Sequence, residues 1–336
     1  NNIRDDVNHN FYERYHSMRI IFMGTPDFSV PTLNALVDAG HEIIAVVAQP
    51  DRPKGRGKKL VSPPTVLRAR ELGIEVWQPR KVRSGPFVEW MCSVDADVAV
   101  VIAYGRILIP KLLQAPKYGC LNVHASLLPK YRGAAPIHWS VIKGETQTGV
   151  CTMQMDEGMD TGDILLSNAT PISSETTTGE LWQQLSHMGA DLMVKTLENL
   201  KNITPQKQDH NLATYAPLLK KEDGLIDFSC SAQDIYNLVR GVDPWPGAWC
   251  YLRDERLKIW KTEIVNFSEE KPAKVGEVIS LDGPIIRTGS GYLRLLEVQL
   301  SGKNRGPAIN LVHGKKIFIG SSLQKSPKEE HSSNNT

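Results

Sequence analysis

The stretch that decides the fold is Asp97-Val-Ala-Val-Val-Ile-Ala103, in which every residue after the aspartate is apolar. A strand buried on both faces has such an unbroken apolar run, whereas a half-exposed strand alternates apolar with polar residues. Helices that connect parallel strands cover both faces of the sheet they belong to. The run therefore predicts an interior strand of a parallel α/β sheet, and it is far shorter than the roughly 20 residues of a membrane helix.

The segments on either side of this run continue an alternation of strands and helices. Upstream, residues 19–23 and 43–48 are short apolar strands, and Leu33, Leu36 and Val37 between them have helical spacing. The other elements predicted in this half are helices at 64–72 and 87–94 and strands at 75–77, 97–103 and 120–124. We predict a Rossmann-like, mainly parallel α/β domain over residues 18–205.

The second half of the chain has the pattern of an antiparallel β structure. A long amphipathic helix at 181–200 and a polar linker at 206–224 precede it. Within 225–320, a helix near 232–240 is followed by predicted strands at 250–252, 257–261, 276–281, 285–288, 292–298 and 315–319. Several short strands with glycine-rich turns predict a small, OB-like β-barrel domain.

The two ends of the chain are polar. Residues 1–17 lack the apolar core of a signal peptide, and we expect them to form a disordered N-terminal extension. Residues 321–336 are expected to be a polar tail. Five cysteines without a CxxC pair argue against a disulfide framework and a zinc ribbon, and they indicate a reducing, cytoplasmic setting.

Charge is unevenly distributed along the chain. The formal net charge is only +2, but the stretch from Pro50 to Arg83 holds ten basic and three acidic residues. This stretch therefore carries +7, while the rest of the chain is mildly acidic. With 41% hydrophobic residues the chain is too apolar to be a fully disordered protein.

Two polar side chains, Asn122 and His124, stand at the end of the strand predicted at 120–124. Ligands of open α/β sheets bind at the carboxyl ends of strands, and a period of two places both side chains on one face. An amide and an imidazole suit the stabilisation of an oxyanion and the delivery of a proton. On spacing alone, a structural pair of hydrogen-bonding residues is the favoured alternative.

A second candidate is the acidic stretch from Met155 to Asp163, in which Gly158 and Gly162 are interleaved with carboxylates. Its glycines are misplaced for a calcium-binding EF-hand loop. The remaining alternatives are a loop that aims one carboxylate into a pocket and a plain hairpin turn. No metal site is expected, and Gly24-Thr-Pro26 lacks the G-x-G-x-x-G pattern of a nicotinamide-dependent oxidoreductase.

Taken together, the motifs resemble those of the folate-dependent formyltransferases, and within them the members that act on aminoacylated tRNA. The motifs that carry the resemblance are Gly24-Thr-Pro-Asp-Phe28, Gln49-Pro-Asp-Arg-Pro53, Gly55-Arg-Gly-Lys-Lys59, Ala103-Tyr-Gly105, Asn122-Val-His124, Ser126-Leu-Leu-Pro129, Arg132-Gly-Ala-Ala-Pro136, Met155-Asp156, Asp160-Thr-Gly162 and Pro244-Trp-Pro-Gly-Ala248. They extend from Met18 to about Ile319. The departures are Asp243, where the family pattern has Asn, and the extension 1–17.

The resemblance implies a reaction and a set of residues that perform it. A formyl group would pass from 10-formyltetrahydrofolate, the co-substrate, to the α-amino group of methionine esterified to initiator tRNA. Asn122 and His124 would bind the oxyanion, and His124 or a water held by Asp160 would move the proton. The residues implied in folate binding are Ser126, Leu127, Leu128 and Pro129. No metal takes part.

The basic stretch acquires a role through the same resemblance. The residues expected to bind tRNA phosphates lie in what looks like a mobile loop and are Arg52, Lys54, Arg56, Lys58 and Lys59. Such contacts make binding steeply salt-dependent. A solvated surface loop is the alternative. The barrel domain would also contact tRNA, no membrane partner is expected, and we expect a monomer.

Two rival functions use the same residues differently. A formyltransferase acting on a small amine, or a hydrolase of 10-formyltetrahydrofolate, would keep Asn122, His124 and Asp160 but would not need the basic loop. A non-catalytic RNA-binding module of the same fold would not need His124. Assays of formyl transfer to charged tRNA separate these alternatives.

Overall fold

The computed structural model describes residues 17–54, 57, 59–268 and 272–327. They form two compact units. The first comprises the described residues up to Gly133, with Thr148–Thr170 and Trp182–Tyr215; the second comprises Ala134–Gln147, Pro171–Leu181 and the described residues from Ala216 onward. The predicted domains are continuous stretches of chain, whereas two segments of the predicted first domain, Ala134–Gln147 and Pro171–Leu181, belong to the second unit.

The secondary structure alternates in the first half and is mainly β in the second. The strands are β1 (Arg19–Gly24), β2 (Glu42–Val47), β3 (Arg52–Lys54), β4 (Lys59–Val61), β5 (Glu75–Trp77), β6 (Val98–Ile102), β7 (Cys120–His124), β8 (Arg132–Gly133), β9 (Gln147–Gln154), β10 (Ile164–Pro171), β11 (Tyr215–Ala216), β12 (Ala248–Leu252), β13 (Glu255–Val265), β14 (Val278–Ser280), β15 (Ile285–Arg287), β16 (Tyr292–Leu300), β17 (Gly306–Pro307) and β18 (Leu323–Gln324). The helices are α1 (Val30–Asp38), α2 (Pro64–Glu71), α3 (Pro86–Ser93), α4 (Pro110–Leu113), α5 (Pro136–Ile142), α6 (Thr178–Asn199), α7 (Ala232–Gly241) and α8 (Ile309–His313).

Proline begins four consecutive helices, α2 to α5. At the first position of a helix the missing N–H of proline costs nothing, and its fixed φ angle favours the helix. The apolar periodicity revealed α2 and α3 but not the short helices α4 and α5. Their starting prolines are the only local signal they carry.

The first unit is built on a seven-stranded sheet with the order β10-β9-β7-β6-β1-β2-β5. Strand β6 is buried at every position and pairs in parallel with β1 on one side and β7 on the other. Strand β7 pairs antiparallel with β9. The predicted Rossmann-like, mainly parallel sheet is therefore confirmed, and the carboxyl ends of β1, β6 and β7 share one edge.

The second unit contains an antiparallel sheet with the order β14-β15-β16-β13-β12-β18, and β17 pairs with β16. A bridge between Glu277 and Ser322 links the β14 end of this path to the β18 end. Helix α7 packs on β13, and apolar side chains from helix and strands form one core. The predicted antiparallel barrel-like second domain is confirmed.

Two predictions for the C-terminal part were wrong. The strand predicted at 315–319 is absent: helix α8 ends at His313, and Lys315 lies in a left-handed turn with a φ of 52°. The tail was predicted from residue 321, but Leu323 is only 2% exposed and pairs with Leu252 of β12. The apolar side chain of Leu323 belongs to the core, so the fold extends beyond the predicted boundary.

None of the described helices is long and apolar enough to cross a membrane. All five cysteines are free. Burial raises the pKa of the Cys120 thiol to about 12, and it raises the pKa of the Cys250 thiol as well. These two thiols are therefore uncharged at neutral pH and serve as apolar core residues.

Candidate active site

The predicted pair Asn122 and His124 lies at the carboxyl end of β7, next to β6. One amide hydrogen of Asn122 is donated from Nδ2 to the carbonyl oxygen of Val101, its partner across the β6–β7 ladder, at 2.9 Å. The Asn122 Oδ1 is buried and has no hydrogen-bond partner among the described residues. The second hydrogen on Nδ2 and the oxygen Oδ1 are therefore available to a substrate.

The ring of His124 is buried, with 6% of the residue exposed, and both of its nitrogens face protein groups. Nε2 lies 2.9 Å from the carbonyl oxygen of Tyr131. Because a carbonyl can only accept, Nε2 carries the proton in the neutral ring, and Nδ1 holds the lone pair. Nδ1 is 3.6 Å from Oδ2 of Asp160, within the distance of an ion pair.

The carboxylate of Asp160 has a position fixed by the backbone. Its Oδ2 accepts a hydrogen bond from the Gly133 N–H at 2.7 Å. Asp160 itself has a φ of 53°, in the left-handed region that non-glycine residues rarely adopt. Such conformations persist only where surrounding contacts hold them, and they concentrate at functional sites.

Asp156, another carboxylate of the acidic stretch, stabilises this loop. Oδ1 of Asp156 accepts hydrogen bonds from the Gly158 N–H and the Thr161 hydroxyl. The stretch is therefore a closed turn that presents one carboxylate, Asp160, toward His124. Among the described residues, no three His, Cys, Asp or Glu side chains come together as a possible metal site.

A group of side chains behind Asp160 was not predicted from the sequence. The side chain of Gln208, 7% exposed, donates from Nε2 to the carbonyl oxygens of Asp160 and Gly162. Its Oε1 accepts two bonds from the guanidinium of Arg132, which also lies 3.1 Å from Nδ1 of His210. Arg132 was part of a recognised motif, whereas Gln208 lies in the predicted linker, where no sequence signal marks it.

The four residues expected to bind folate are arranged around a tight turn. Ser126 is fully buried, and its hydroxyl donates to the Lys130 carbonyl oxygen. Leu128 is buried against Cys151 and Met153, and a cis peptide joins it to Pro129. Leu127 and Pro129 are half-buried. Folate binding by this turn stays a prediction. Because the side chains of Ser126 and Leu128 are buried, these two residues would offer backbone atoms to the folate.

A second polar cluster lies at the ends of β1 and β6. The carbonyl oxygen of Tyr104 accepts hydrogen bonds from the Thr25 hydroxyl and from Nε2 of Gln49, whose Oε1 accepts from Arg106. The Tyr104 hydroxyl is buried without a hydrogen-bond partner among the described residues. Burial raises the pKa of Tyr104 to about 12, so the hydroxyl remains protonated and can donate to a ligand.

Within the basic stretch, the described ends of the predicted loop belong to two short strands, β3 and β4, that pair as a hairpin. Strands β3 and β4 pair antiparallel, with Arg52 opposite Val61, and Arg52 and Lys59 are exposed. At its base, Asp51 accepts hydrogen bonds from Gln78 and Ser62, which hold the pKa of its carboxyl below the usual value. Lys54 ends β3. The predicted tRNA contacts Arg56 and Lys58 lie outside the described residues.

A cavity of about 760 Å³ in the second unit contains none of the predicted site residues. Its lining mixes charges of both signs, including Arg240 and Asp243, around the Trp260 ring. This cavity is therefore unrelated to the predicted catalytic residues, which lie at the open edge of the first sheet.

Comparison with protein-family models matches residues 18–197 to the formyl transferase family and residues 218–316 to the formyl transferase C-terminal domain. The chain belongs to the formyltransferase family. Among curated relatives, the methionyl-tRNA formyltransferase of Citrifermentans bemidjiense is 49% identical over 92% of this chain and 97% of its own length. The enzyme of that name from Ruminiclostridium cellulolyticum is 46% identical over 92% of this chain and its entire length.

Solved structures confirm the fold of this formyltransferase at low identity. An N-formyltransferase from Helicobacter canadensis, solved with folinic acid and dTDP-3-aminofucose, has a TM-score of 0.63 at 18% identity, covering 83% of this chain and 98% of its own. HypX from Aquifex aeolicus in complex with tetrahydrofolic acid has a TM-score of 0.58 at 18% identity, and covers 90% of this chain and 48% of its own. The formyltransferase therefore shares its architecture with proteins of different length.

Proposed function

We propose that this formyltransferase transfers a formyl group from 10-formyltetrahydrofolate to the α-amino group of methionyl initiator tRNA, a step in translation initiation. Relatives 45–49% identical over about nine-tenths of the chain carry the name methionyl-tRNA formyltransferase. Both family domains are present. The proposal names the acceptor and assigns roles to individual residues of this chain.

The hydrogen bonding of the Asn122 amide is the observation that best supports the proposal. The residue is half-buried at a strand end, its Oδ1 is buried with no hydrogen-bond partner among the described residues, and only one of its two N–H donors has a partner there. Burying unpaired polar atoms costs free energy unless a ligand satisfies them. A formyl oxygen can accept from the free N–H, and the amine of the acceptor can donate to Oδ1. Both partners of a formyl transfer thus fit one side chain.

The chemistry joins this amide to His124 and Asp160. Attack of the neutral α-amine on the formyl carbon forms the new C–N bond and moves an electron pair onto the formyl oxygen. The free N–H of Asn122 stabilises that oxyanion. His124 takes the proton of the attacking nitrogen at Nδ1, where Asp160 stabilises the imidazolium, and returns a proton to N10 as the C–N10 bond breaks. The products are formyl-methionyl-tRNA and tetrahydrofolate.

The hairpin β3–β4 supports a nucleic-acid acceptor. Arg52 and Lys59 are exposed on a hairpin that belongs to the same unit as the catalytic residues, in the most basic stretch of the chain. Lysine and arginine side chains bind the phosphate backbone independently of base sequence. We propose that the hairpin and the second unit bind the tRNA, and that the enzyme acts as a monomer in the cytoplasm.

The test is an assay with 10-formyltetrahydrofolate and four candidate acceptors. We expect rapid formation of formyl-methionyl-tRNA, and no comparable transfer to free methionine, to a nucleotide-linked amino sugar or to water. Transfer to the amino sugar, or release of free formate, would contradict the proposal in favour of a rival enzyme. Binding of tRNA without any formyl transfer would favour the non-catalytic RNA-binding module.

A further inference from the structure

The loop that carries Asp160 is held from behind by a segment that lies in the predicted linker. This segment, residues 208–214, runs alongside residues 129–133 in the first unit. The Arg132 N–H donates to the Thr214 carbonyl oxygen at 2.8 Å, and the Tyr131 N–H donates to the Thr214 hydroxyl at 2.9 Å. Strand β11, which begins at Tyr215, then pairs with β8. The segment is thereby fixed against the backbone that faces Asp160.

The side chain of Gln208 uses every hydrogen-bonding group of its amide. The two hydrogens of Nε2 reach the carbonyl oxygens of Asp160 at 2.9 Å and of Gly162 at 2.7 Å. The two lone pairs of Oε1 accept from Nε and Nη2 of Arg132 at 3.1 and 2.7 Å. A fully saturated, buried amide admits one orientation, since any rotation leaves a buried polar atom unpaired.

The guanidinium of Arg132 depends on this arrangement. Arg132 is only 2% exposed, and a buried charge is tolerated when its donors are hydrogen-bonded. Its Nη2 also lies 3.1 Å from Nδ1 of His210, which accepts there because arginine only donates. The residue after Arg132 is Gly133, whose N–H donates to Oδ2 of Asp160.

Asp160 is therefore held at two points by one connected group. Gln208 fixes its strained backbone, and Gly133, next to the Arg132 that binds Gln208, fixes its carboxylate. The carboxylate lies 3.6 Å from His124, a separation that a small loop movement would change substantially. A misplacement of about 1 Å is enough to cost up to a hundredfold in rate.

We propose that Gln208 is a positioning residue: with Arg132 it forms a clamp that holds Asp160 at the distance from His124 needed for proton transfer. Gln208 touches neither substrate. It acts on the reaction only through Asp160. The inference rests on the proposed function, which gives Asp160 and His124 their roles.

The decisive variant is Gln208→Glu, with Gln206→Glu as its matched control. Glutamate keeps the shape and the acceptor for Arg132, but it loses both donors to the Asp160 loop. Gln206 lies two residues away, is exposed, and bridges Ile164 through its backbone only. We expect kcat of the Gln208→Glu enzyme to fall at least about tenfold while KM for both substrates changes less than about threefold. The control should match the unmutated enzyme.

A double-mutant cycle separates positioning from general stability. If Gln208 acts through the carboxylate, Gln208→Glu should lower the single-turnover rate less than about twofold when it is added to Asp160→Asn. An equal loss of rate with and without Asp160→Asn would contradict the proposed clamp. An unchanged kcat of the Gln208→Glu enzyme would contradict it as well. Formyl transfer by the unmutated enzyme, measured in the same series, supports the proposed function whatever the variants do.

Amide hydrogen exchange reports on the clamp without any substrate. The Gly133 N–H should exchange at least about tenfold faster in the Gln208→Glu protein than in the Gln206→Glu protein. Equal protection would overturn the proposal. If Gln208→Glu fails to fold, Thr214→Val takes its place, since it removes only the hydroxyl that accepts from the Tyr131 N–H and keeps the carbonyl that accepts from Arg132. The same two outcomes, faster Gly133 exchange and a kcat loss that disappears with Asp160→Asn, are then required.

Discussion

The end of β7 and the hairpin β3–β4 both carry residues that the sequence singles out, but the fold holds them in opposite ways. His124 is buried, and each of its ring nitrogens faces a named protein group. Arg52 and Lys59 are exposed on paired strands, and the side-chain hydrogen bonds described for the hairpin lie at its base, on Asp51. The first region holds a buried ring between two protein groups, while the second presents charge to solvent.

The difference indicates which kinetic parameter each region controls. Fixed groups that meet the reacting atoms lower the barrier of the chemical step, so their loss appears in kcat. Exposed cations attract a polyanion over a distance set by salt screening, so their loss appears in the binding of tRNA. Substitutions of individual side chains test this division.

The largest effect is expected from His124→Ala. Removing the group that carries the proton should lower kcat for formyl transfer at least about a hundredfold, with KM changed less than about threefold. Steady-state and single-turnover assays with charged initiator tRNA measure both. His187→Ala, which alters an exposed histidine of α6, is the matched control and should retain full activity. A kcat within about fivefold of the unmutated enzyme would refute the role of His124.

A second contrast compares one glycine from each region. A Cβ added at Gly162, in the loop that presents Asp160, would clash with the backbone carbonyl oxygen of Gln154. A Cβ added at Gly57 of the hairpin would meet nothing within 4 Å in the described part of the chain. We expect Gly162→Ala to lower the free energy of unfolding by about 1–3 kcal/mol and to reduce kcat, and Gly57→Ala to leave both within error. Urea unfolding measures the free energy of unfolding, and the formylation assay measures kcat. Equal effects of the two substitutions would contradict this prediction.

The hairpin should show its effect in salt dependence. The double substitution Arg52→Ala with Lys59→Ala should raise KM for charged tRNA about three- to tenfold at low salt and leave kcat and the KM for folate unchanged. The slope of log(kcat/KM) against log[salt] should become shallower by about two, because each removed cation leaves one phosphate without its counter-charge. Lys111→Ala with Lys201→Ala removes two exposed cations from elsewhere in the chain and serves as control. An unchanged slope would mean that these two hairpin side chains do not bind phosphates.

The smallest effect concerns Tyr104, which follows β6. Its pKa is raised to about 12 by burial, above the usual value of about 10. The protonated form is therefore favoured in the fold, and its contribution to stability is present below pH 10 and lost as pH rises toward 12. In the Tyr104→Phe protein, the free energy of unfolding should fall less steeply between pH 10 and 12. At pH 7 it should change by less than about 1 kcal/mol. Tyr215→Phe, at an exposed tyrosine, should leave the pH profile unchanged.

How much of this the sequence could predict depends on how far apart the interacting residues lie. The buried strand at 98–102 and the strand at 120–124 follow from a local apolar run, and both are confirmed with bounds within one residue. The strand predicted at 315–319 fails because Lys315 adopts a left-handed turn that its neighbours do not signal. Leu323 joins the core because its strand pairs with β12. The polar residues around Leu323 give no local sign of this pairing.

The sequence by itself determined the fold class, the strand-end pair Asn122 and His124, the basic stretch and, by resemblance, the family. Each of these features depends on residues that lie a few positions apart in the sequence, because the periodicities of strands and helices repeat over short distances. The tertiary structure alone decided that Asp160 faces His124, and that Gln208 and Arg132, separated by 76 positions, hold it from behind. Hydrogen bonds that close such long loops depend on the packing of the whole unit, which no local pattern of residues encodes.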